Sequence, residues 1–271
     1  MNGSSHYPVR REAVLTGDWR GRIGLLWPHD GHTDDEFWAY LPKGVSLLIA
    51  RFKAAGDQGE LTANALSAYA DPKPLEEAAD LLRLAMPDVV VSGDHGGSFI
   101  GGVEGDLAQR KAMQDALGVP ASTASFATVI ALRTLGAKRL AVTSPYPDEI
   151  TPYLLRYLEA QGFAVVASIG LDLENENDIG ALMPDRWHRI AKDADHAKAD
   201  AVLLAGGGIR TAGILGTIEA DLGKPVVSAP AALIWHALQL IGVTPAAPEH
   251  GLLFTEFGAA HADGRLAEAT S

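Results

Sequence analysis

The sequence contains no cysteine. That excludes disulfides, thiolate nucleophiles and cysteine-ligated zinc together. It has no apolar run of about 18 residues, so a transmembrane helix is not expected. Positive charge is in deficit: 22 Lys and Arg stand against 34 Asp and Glu, a formal net charge of −12. This argues against nucleic acid or an anionic membrane as the main partner, though not against an anionic substrate in a local pocket. Met1-Asn2-Gly3-Ser4-Ser5-His6 leads into Arg10-Arg11-Glu12 without the apolar stretch of a signal peptide, so a cytoplasmic location is the expectation. What remains is 271 residues, 47% hydrophobic and 21% charged, enough for one large or two small domains with proper cores. A homo-oligomer is compatible with it.

The chain reads as two copies of one pattern. Asp88-Val89-Val90-Val91-Ser92-Gly93-Asp94-His95-Gly96-Gly97 resembles Asp200-Ala201-Val202-Leu203-Leu204-Ala205-Gly206-Gly207-Gly208-Ile209. Each is an acidic residue, a buried-strand run and a glycine-rich turn. Arg22 to His29 parallels Arg139 to Tyr146, and Gly118-Val119-Pro120 parallels Gly223-Lys224-Pro225. The landmarks recur in one order about 105–117 residues apart, which is the mark of an internal repeat. Apolar runs alternate with segments of helical spacing, a pattern that predicts parallel sheets covered on both faces. The expected architecture is α/β: two similar Rossmann-like lobes, each a parallel sheet of about four strands flanked by helices, related by pseudo-twofold symmetry. Residues 20–125 plus 231–260 are expected to form the first lobe and 126–230 the second, with the last helix crossing back. Ligands in open α/β sheets bind beyond the carboxyl ends of the strands. The loops 27–32, 94–99, 144–148 and 206–211 are therefore expected to meet in one cleft.

Three segments carry a resemblance: Asp94-His95-Gly96-Gly97-Ser98-Phe99 with Gly102, Thr143-Ser144-Pro145-Tyr146, and Ala205-Gly206-Gly207-Gly208-Ile209-Arg210-Thr211. With Pro225-Val226-Val227-Ser228, Trp235 and Ala237 they resemble the aspartate/glutamate racemase superfamily, in its branch of maleate cis-trans isomerases and arylmalonate decarboxylases. The resemblance spans about residues 20 to 257. It implies catalysis without metal or organic cofactor on a small carboxylate. It also implies thiols at one or both glycine-turn positions, and here the chain departs: Asp94 and Gly206 stand at those positions. The fold inference survives the change, whereas the thiol mechanism does not.

One-sided proton chemistry is what the residues leave open. Two-base racemisation needs a proton carrier on each face of a carbon, and Gly206 offers none. Decarboxylation of an activated diacid through an enediolate needs an oxyanion pocket and one proton donor. Asp94 is the candidate acid/base, with His95 and Tyr146 as further catalytic candidates. Pro28, His29, Asp30, Gly96, Gly97, Ser98, Gly206, Gly207, Gly208 and Arg210 are the candidate substrate contacts. Glycine turns let backbone N–H groups approach an anion closely, and Arg210 could pair with a carboxylate. Isomerisation by a non-thiol route stays open beside decarboxylation. Two rival readings follow from the same residues. His29, Asp30, His32, Asp94 and His95 are ligand types for a divalent ion, although without a recognised spacing, and would suit a metal-assisted hydrolase or lyase. A carboxylate-binding protein that lost its catalytic groups is the other. Gly206-Gly207-Gly208 is not a dinucleotide fingerprint. Asp34-Asp35-Glu36 reads as a solvated face, and Trp38, Trp187 and Trp235 as core or interface.

Overall fold

The computed structural model describes residues 20–56, 59–245 and 247–255. The N-terminal stretch read above and residues 256–260 of the expected first lobe lie outside them. The strands are β1 (Gly21–Pro28), β2 (Val45–Phe52), β3 (Val89–Ser92), β4 (Ala121–Thr123), β5 (Arg139–Ser144), β6 (Ala164–Gly170), β7 (Ala201–Leu204) and β8 (Val226–Ser228). They form two four-stranded sheets of order β2-β1-β3-β4 and β6-β5-β7-β8. Every pairing within them is parallel. The two halves thus share a strand order, and the fold is α/β with two like lobes.

The helices are α1 (Asp34–Ala39), α2 (Ala63–Tyr69), α3 (Lys73–Leu81), α4 (His95–Ile100), α5 (Gly102–Leu117), α6 (Ala124–Thr134), α7 (Thr151–Ala160), α8 (Glu176–Ala181), α9 (Pro184–Ala194), α10 (Leu215–Leu222) and α11 (Ala229–Leu240). β3 and β7 are buried at every position, as strands covered on both faces must be. The acidic residue that opens each repeat secures a neighbouring strand. Asp88 accepts the Arg22 N–H at 2.9 Å, and Asp200 accepts the Arg139 N–H at 2.9 Å. Thr123 and Ser228 cap α6 and α11 in the same way, their hydroxyls accepting N–H groups of the first turn. Pro230 sits in the first turn of α11, where its missing N–H costs nothing. α11 is buried almost throughout, packs on α6, and also touches β3 and β4 of the first sheet.

Several short elements depart from the sequence reading. The segment 95–100, expected as a glycine-rich loop, is helix α4. Its glycines are tolerated there because the backbone of α2 comes too close for side chains: a Cβ on Gly97 would stand 2.6 Å from the Tyr69 Cβ. Helices α1, α2 and α8 have six or seven residues each, too few turns for a periodic apolar pattern to show. The run Asp34-Asp35-Glu36 opens α1 and is not a purely solvated face, since Glu36 is buried. Trp187 and Trp235 are core residues as expected, but Trp38 is 49% exposed.

Candidate active site

Residues at or just past the carboxyl ends of β1, β3, β5 and β7 line the space between the lobes, together with residues that follow β2 and β6. One small cavity is lined by Trp27, Pro28, Asp30, Gly31, Asp94, His95, Tyr146, Glu176, Gly207 and Gly208. A second shares Pro28, Asp30, Asp94 and Glu176 with it and is closed by Glu60, Leu66 and Tyr69. Each has a volume of about 20 Å³, room for about one water. The cleft is therefore shut. Contacts between the lobes hold it so: Leu61 N–H donates to the Glu174 carbonyl at 3.0 Å, Ala63 N–H donates to Glu149 Oε1 at 3.0 Å, and Glu60 bridges to Asn175.

Asp94 lines both cavities. It is the N-cap of α4, its Oδ1 accepting the Gly97 N–H at 3.0 Å, so its carboxyl is held at the positive end of the turn. His95 follows as the first helical residue and is buried. Its ring crosses to the second lobe, where Gly206 N–H donates to Nδ1 at 3.3 Å. Burial lowers the His95 pKa to about 3. The ring is therefore neutral, with its proton on Nε2 because Nδ1 is an acceptor. The Tyr146 hydroxyl stands 3.5 Å from that same Nδ1, and the two rings are stacked at 19°.

Tyr146 is buried, and burial pushes its hydroxyl far above the ordinary phenol range. The Glu176 and Asp94 carboxylates push it further, while a hydrogen bond from Gly207 N–H works the other way. It is a phenol fixed in its protonated form, able to donate to an oxyanion. Gly206 has φ of +118°. A Cβ there would stand 2.7 Å from Ile209 Cγ2 and 3.0 Å from Pro145 Cγ, so the turn accepts only glycine.

The remaining candidates divide. Pro28, Asp30, Gly207 and Gly208 join the lining. Gly96 and Gly97 lie inside α4 against α2 and are not part of it. Ser98 faces inward: its hydroxyl donates to the His95 carbonyl at 2.9 Å and meets Ser125 Oγ at 2.6 Å, joining α4 to α6. His29 is exposed and stands beside the Tyr69 hydroxyl at 3.5 Å, outside the lining. Arg210 was expected to hold a carboxylate, but its guanidinium pairs with Asp35 and donates from Nε to the Gly180 carbonyl at 3.1 Å. That geometry turns it away from the lining. Of the five ligand-type residues weighed for a metal, Asp30, Asp94 and His95 share the lining, but among the described residues no group of three or more His, Asp or Glu is placed to hold one ion.

Trp27 and Gly31 lie in the loop 27–32 expected at the cleft but were not named as contacts, whereas Glu176 and the lining residues between Gly59 and Tyr69 come from segments that the sequence reading did not bring to the site. Glu176 is the first residue of α8, in the return loop after edge strand β6. The strand-end rule holds for edge strands as for central ones. Applying it to the loops after β2 and β6 would have drawn in residues 59–66 and 171–176.

The sequence pattern of the arylmalonate decarboxylase family matches residues 53–254, three quarters of the chain, and the protein belongs to that family. Among curated relatives, the arylmalonate decarboxylase of Bordetella bronchiseptica is 31% identical over 164 residues, 59% of this chain and 68% of the relative. The maleate isomerase of Geobacillus stearothermophilus is 29% identical over 143 residues, 52% of this chain and 57% of that enzyme's length. Among solved structures, a double mutant of arylmalonate decarboxylase in a liganded form superposes with a TM-score of 0.78 at 26% identity, covering 87% of this chain and 99% of that one. A maleate isomerase from Pseudomonas putida S16 with maleate gives 0.80 at 21% identity over 87% and 97%, a likeness of fold. The chain thus falls in the branch that the resemblance indicated.

Proposed function

We propose that the protein is a cofactor-independent lyase or isomerase acting on a small carboxylate, with decarboxylation of an arylmalonate-type diacid as its reaction. The observation that supports this most is that Asp94, Tyr146 and the Gly207–Gly208 turn line one cavity between the lobes. In the proposed step the bond from the central carbon to one carboxylate breaks and carbon dioxide leaves. The electron pair becomes an enediolate, which takes a proton at carbon from the Asp94 carboxyl. The Tyr146 hydroxyl donates to an enediolate oxygen, and N–H groups of the turn hold the carboxylate. His95 stays neutral and serves as a positioning residue: it ties α4 to the Gly206 turn, and its ring stacks against that of Tyr146.

The test is methylphenylmalonate in D₂O, followed by NMR. The expected product is 2-phenylpropionate carrying one deuteron on the α-carbon. Asp94→Asn keeps an N-cap side chain but removes the acid, and kcat should fall by about 100-fold or more with thermal unfolding little changed. No product from wild-type protein across a set of aryl- and alkylmalonates would overturn the decarboxylase reading.

A further inference from the structure

We infer that Glu176 is a second proton carrier, supplied by the opposite lobe, and that the site exchanges the α-proton of a monocarboxylate from both faces. The inference rests on the enediolate reading above and extends it.

Glu176 lines both small cavities together with Asp94. Its Oε2 lies 3.3 Å from the point where a Cβ on Gly208 would stand, so it reaches the second-lobe glycine turn. Both carboxylates bear on the Tyr146 hydroxyl, Glu176 the more strongly. Both therefore lie close to the group proposed to hold the enediolate oxygen. Asn175 fixes the start of α8, its Oδ1 accepting the Asp178 N–H at 3.0 Å, and this sets where Glu176 begins. Asp94 comes from a different part of the first lobe, as the cap of α4 after central strand β3, so the two carboxylates reach the cavity from non-equivalent loops. The sequence comparison of the two glycine turns missed the second carrier because it comes from a different loop than Gly206.

The lining also offers donors to the carboxylate that a monocarboxylate product keeps. Among the described lining residues none is Lys or Arg, so that group is held by Tyr146, the turn amides and one more donor. That donor is Trp27 Nε1, which is buried in the same lining and has no acceptor among the described residues. A buried indole N–H without a partner is costly, and a ligand oxygen relieves it.

The step balances without an oxidant or a cofactor. One carboxylate takes the α-proton as the C–H bond breaks and the pair forms the enediolate. The other, protonated, gives its proton to the opposite face as a new C–H bond forms. The pair holds one proton before and after, transferred from one lobe to the other.

Each enantiomer of 2-phenylpropionate is incubated in D₂O with wild type, Glu176→Gln and Asp94→Asn. NMR reads α-proton loss and chiral chromatography reads inversion. Wild type should exchange and interconvert both enantiomers. Each variant should lose interconversion by about 100-fold or more. Each should still exchange one enantiomer with retention, and the two variants should spare opposite enantiomers, a reciprocal pattern that a merely structural role does not produce. Glu176→Asp should recover part of the interconversion, and it carries the test if the glutamine variant fails to fold. Wild-type behaviour in Glu176→Gln overturns the inference, as does exchange confined to one enantiomer in wild type. If methylphenylmalonate reacts while neither enantiomer exchanges, the inference falls alone. If no compound reacts, the proposed function falls with it.

Discussion

The two lobes repeat their scaffolding and differ in the walls they turn to each other. The strand order is shared, and so are the aspartates that hold the starts of β1 and β5, the hydroxyl caps of α6 and α11, and the glycines that end α5 and α10 in the left-handed conformation. Those residues anchor backbone, and any copy of the unit needs them. The first wall presents Asp94 and His95. The second has a bare turn at Gly206, into which His95 of the first lobe inserts its ring. The second lobe's carboxylate arrives from α8. Duplicated folds thus keep what positions a site in register while the chemistry moves between loops.

Two of the buried links between the lobes centre on a carboxylate, and comparing these gives the largest expected effect on stability. In one, Tyr40 meets Glu36 at 2.9 Å and Thr211 Oγ1 at 2.9 Å, while Glu36 Oε1 accepts the N–H groups of Thr211 at 2.7 Å and Ala212 at 2.8 Å. In the other, Tyr157 donates to Asp106 at 3.2 Å, and Asp106 also takes the Thr123 hydroxyl. Removing Asp106 strands two hydroxyls, which can rotate to new acceptors, and the partly exposed Arg110. Removing Glu36 strands two fixed backbone N–H groups. Glu36→Ala should cost about 4 kcal/mol and Asp106→Ala about 2 kcal/mol, measured by denaturant unfolding at pH 7. Equal costs would mean that the links are interchangeable.

Much of this architecture is legible in the sequence, because strands such as Val89–Ser92 and Ala201–Leu204 are continuous apolar runs between an acidic residue and glycine. The part of the site close to those runs is legible for the same reason. Asp94, Tyr146 and Gly207 follow strand ends directly, so their place in the lining follows from the strand reading. Glu176 does not, because β6 is an edge strand of intermediate burial and α8 is too short for a periodic pattern. Arg210 misleads in the opposite way. It does follow a glycine turn, but Asp35 is 175 residues away in sequence and only the folded chain brings that partner to it.

A second test attacks the difference at the glycine turns. If Gly206 were merely an unused position, a thiol could be placed there to make the lobes alike. The backbone says otherwise: φ is +118°, and an added Cβ meets both Ile209 and Pro145. Gly206→Cys should lose about 3 kcal/mol of stability from left-handed strain and crowding together. It should also weaken the Gly206 N–H bond to His95 and so lower turnover rather than raise it. Unfolding curves and methylphenylmalonate kinetics check both, and a stable, more active variant would show that the turn relaxes freely.

The smallest effect isolates, by pH, the His95 ring that the first lobe inserts into the second. Its folded pKa is near 3, against about 6.5 in an unfolded chain, because burial penalises the imidazolium. Above pH 6.5 both states hold a neutral ring, and His95 adds no pH dependence. As pH falls below 6.5 the unfolded state binds a proton that the folded state refuses, so stability drops by about 1.4 kcal/mol per unit until the folded ring protonates near pH 3. Between pH 6.5 and 5 this amounts to about 2 kcal/mol. Glu36 titrates in the opposite sense, its pKa raised by burial, and favours the folded state on acidification. The contrast is therefore taken between wild type and His95→Gln, in which the Glu36 contribution cancels. On acidification His95→Gln should therefore lose less stability than wild type. If its pH curve instead matches that of wild type, the ring is charged inside the protein, and the neutral acceptor of the Gly206 N–H is the wrong description of how the lobes are tied.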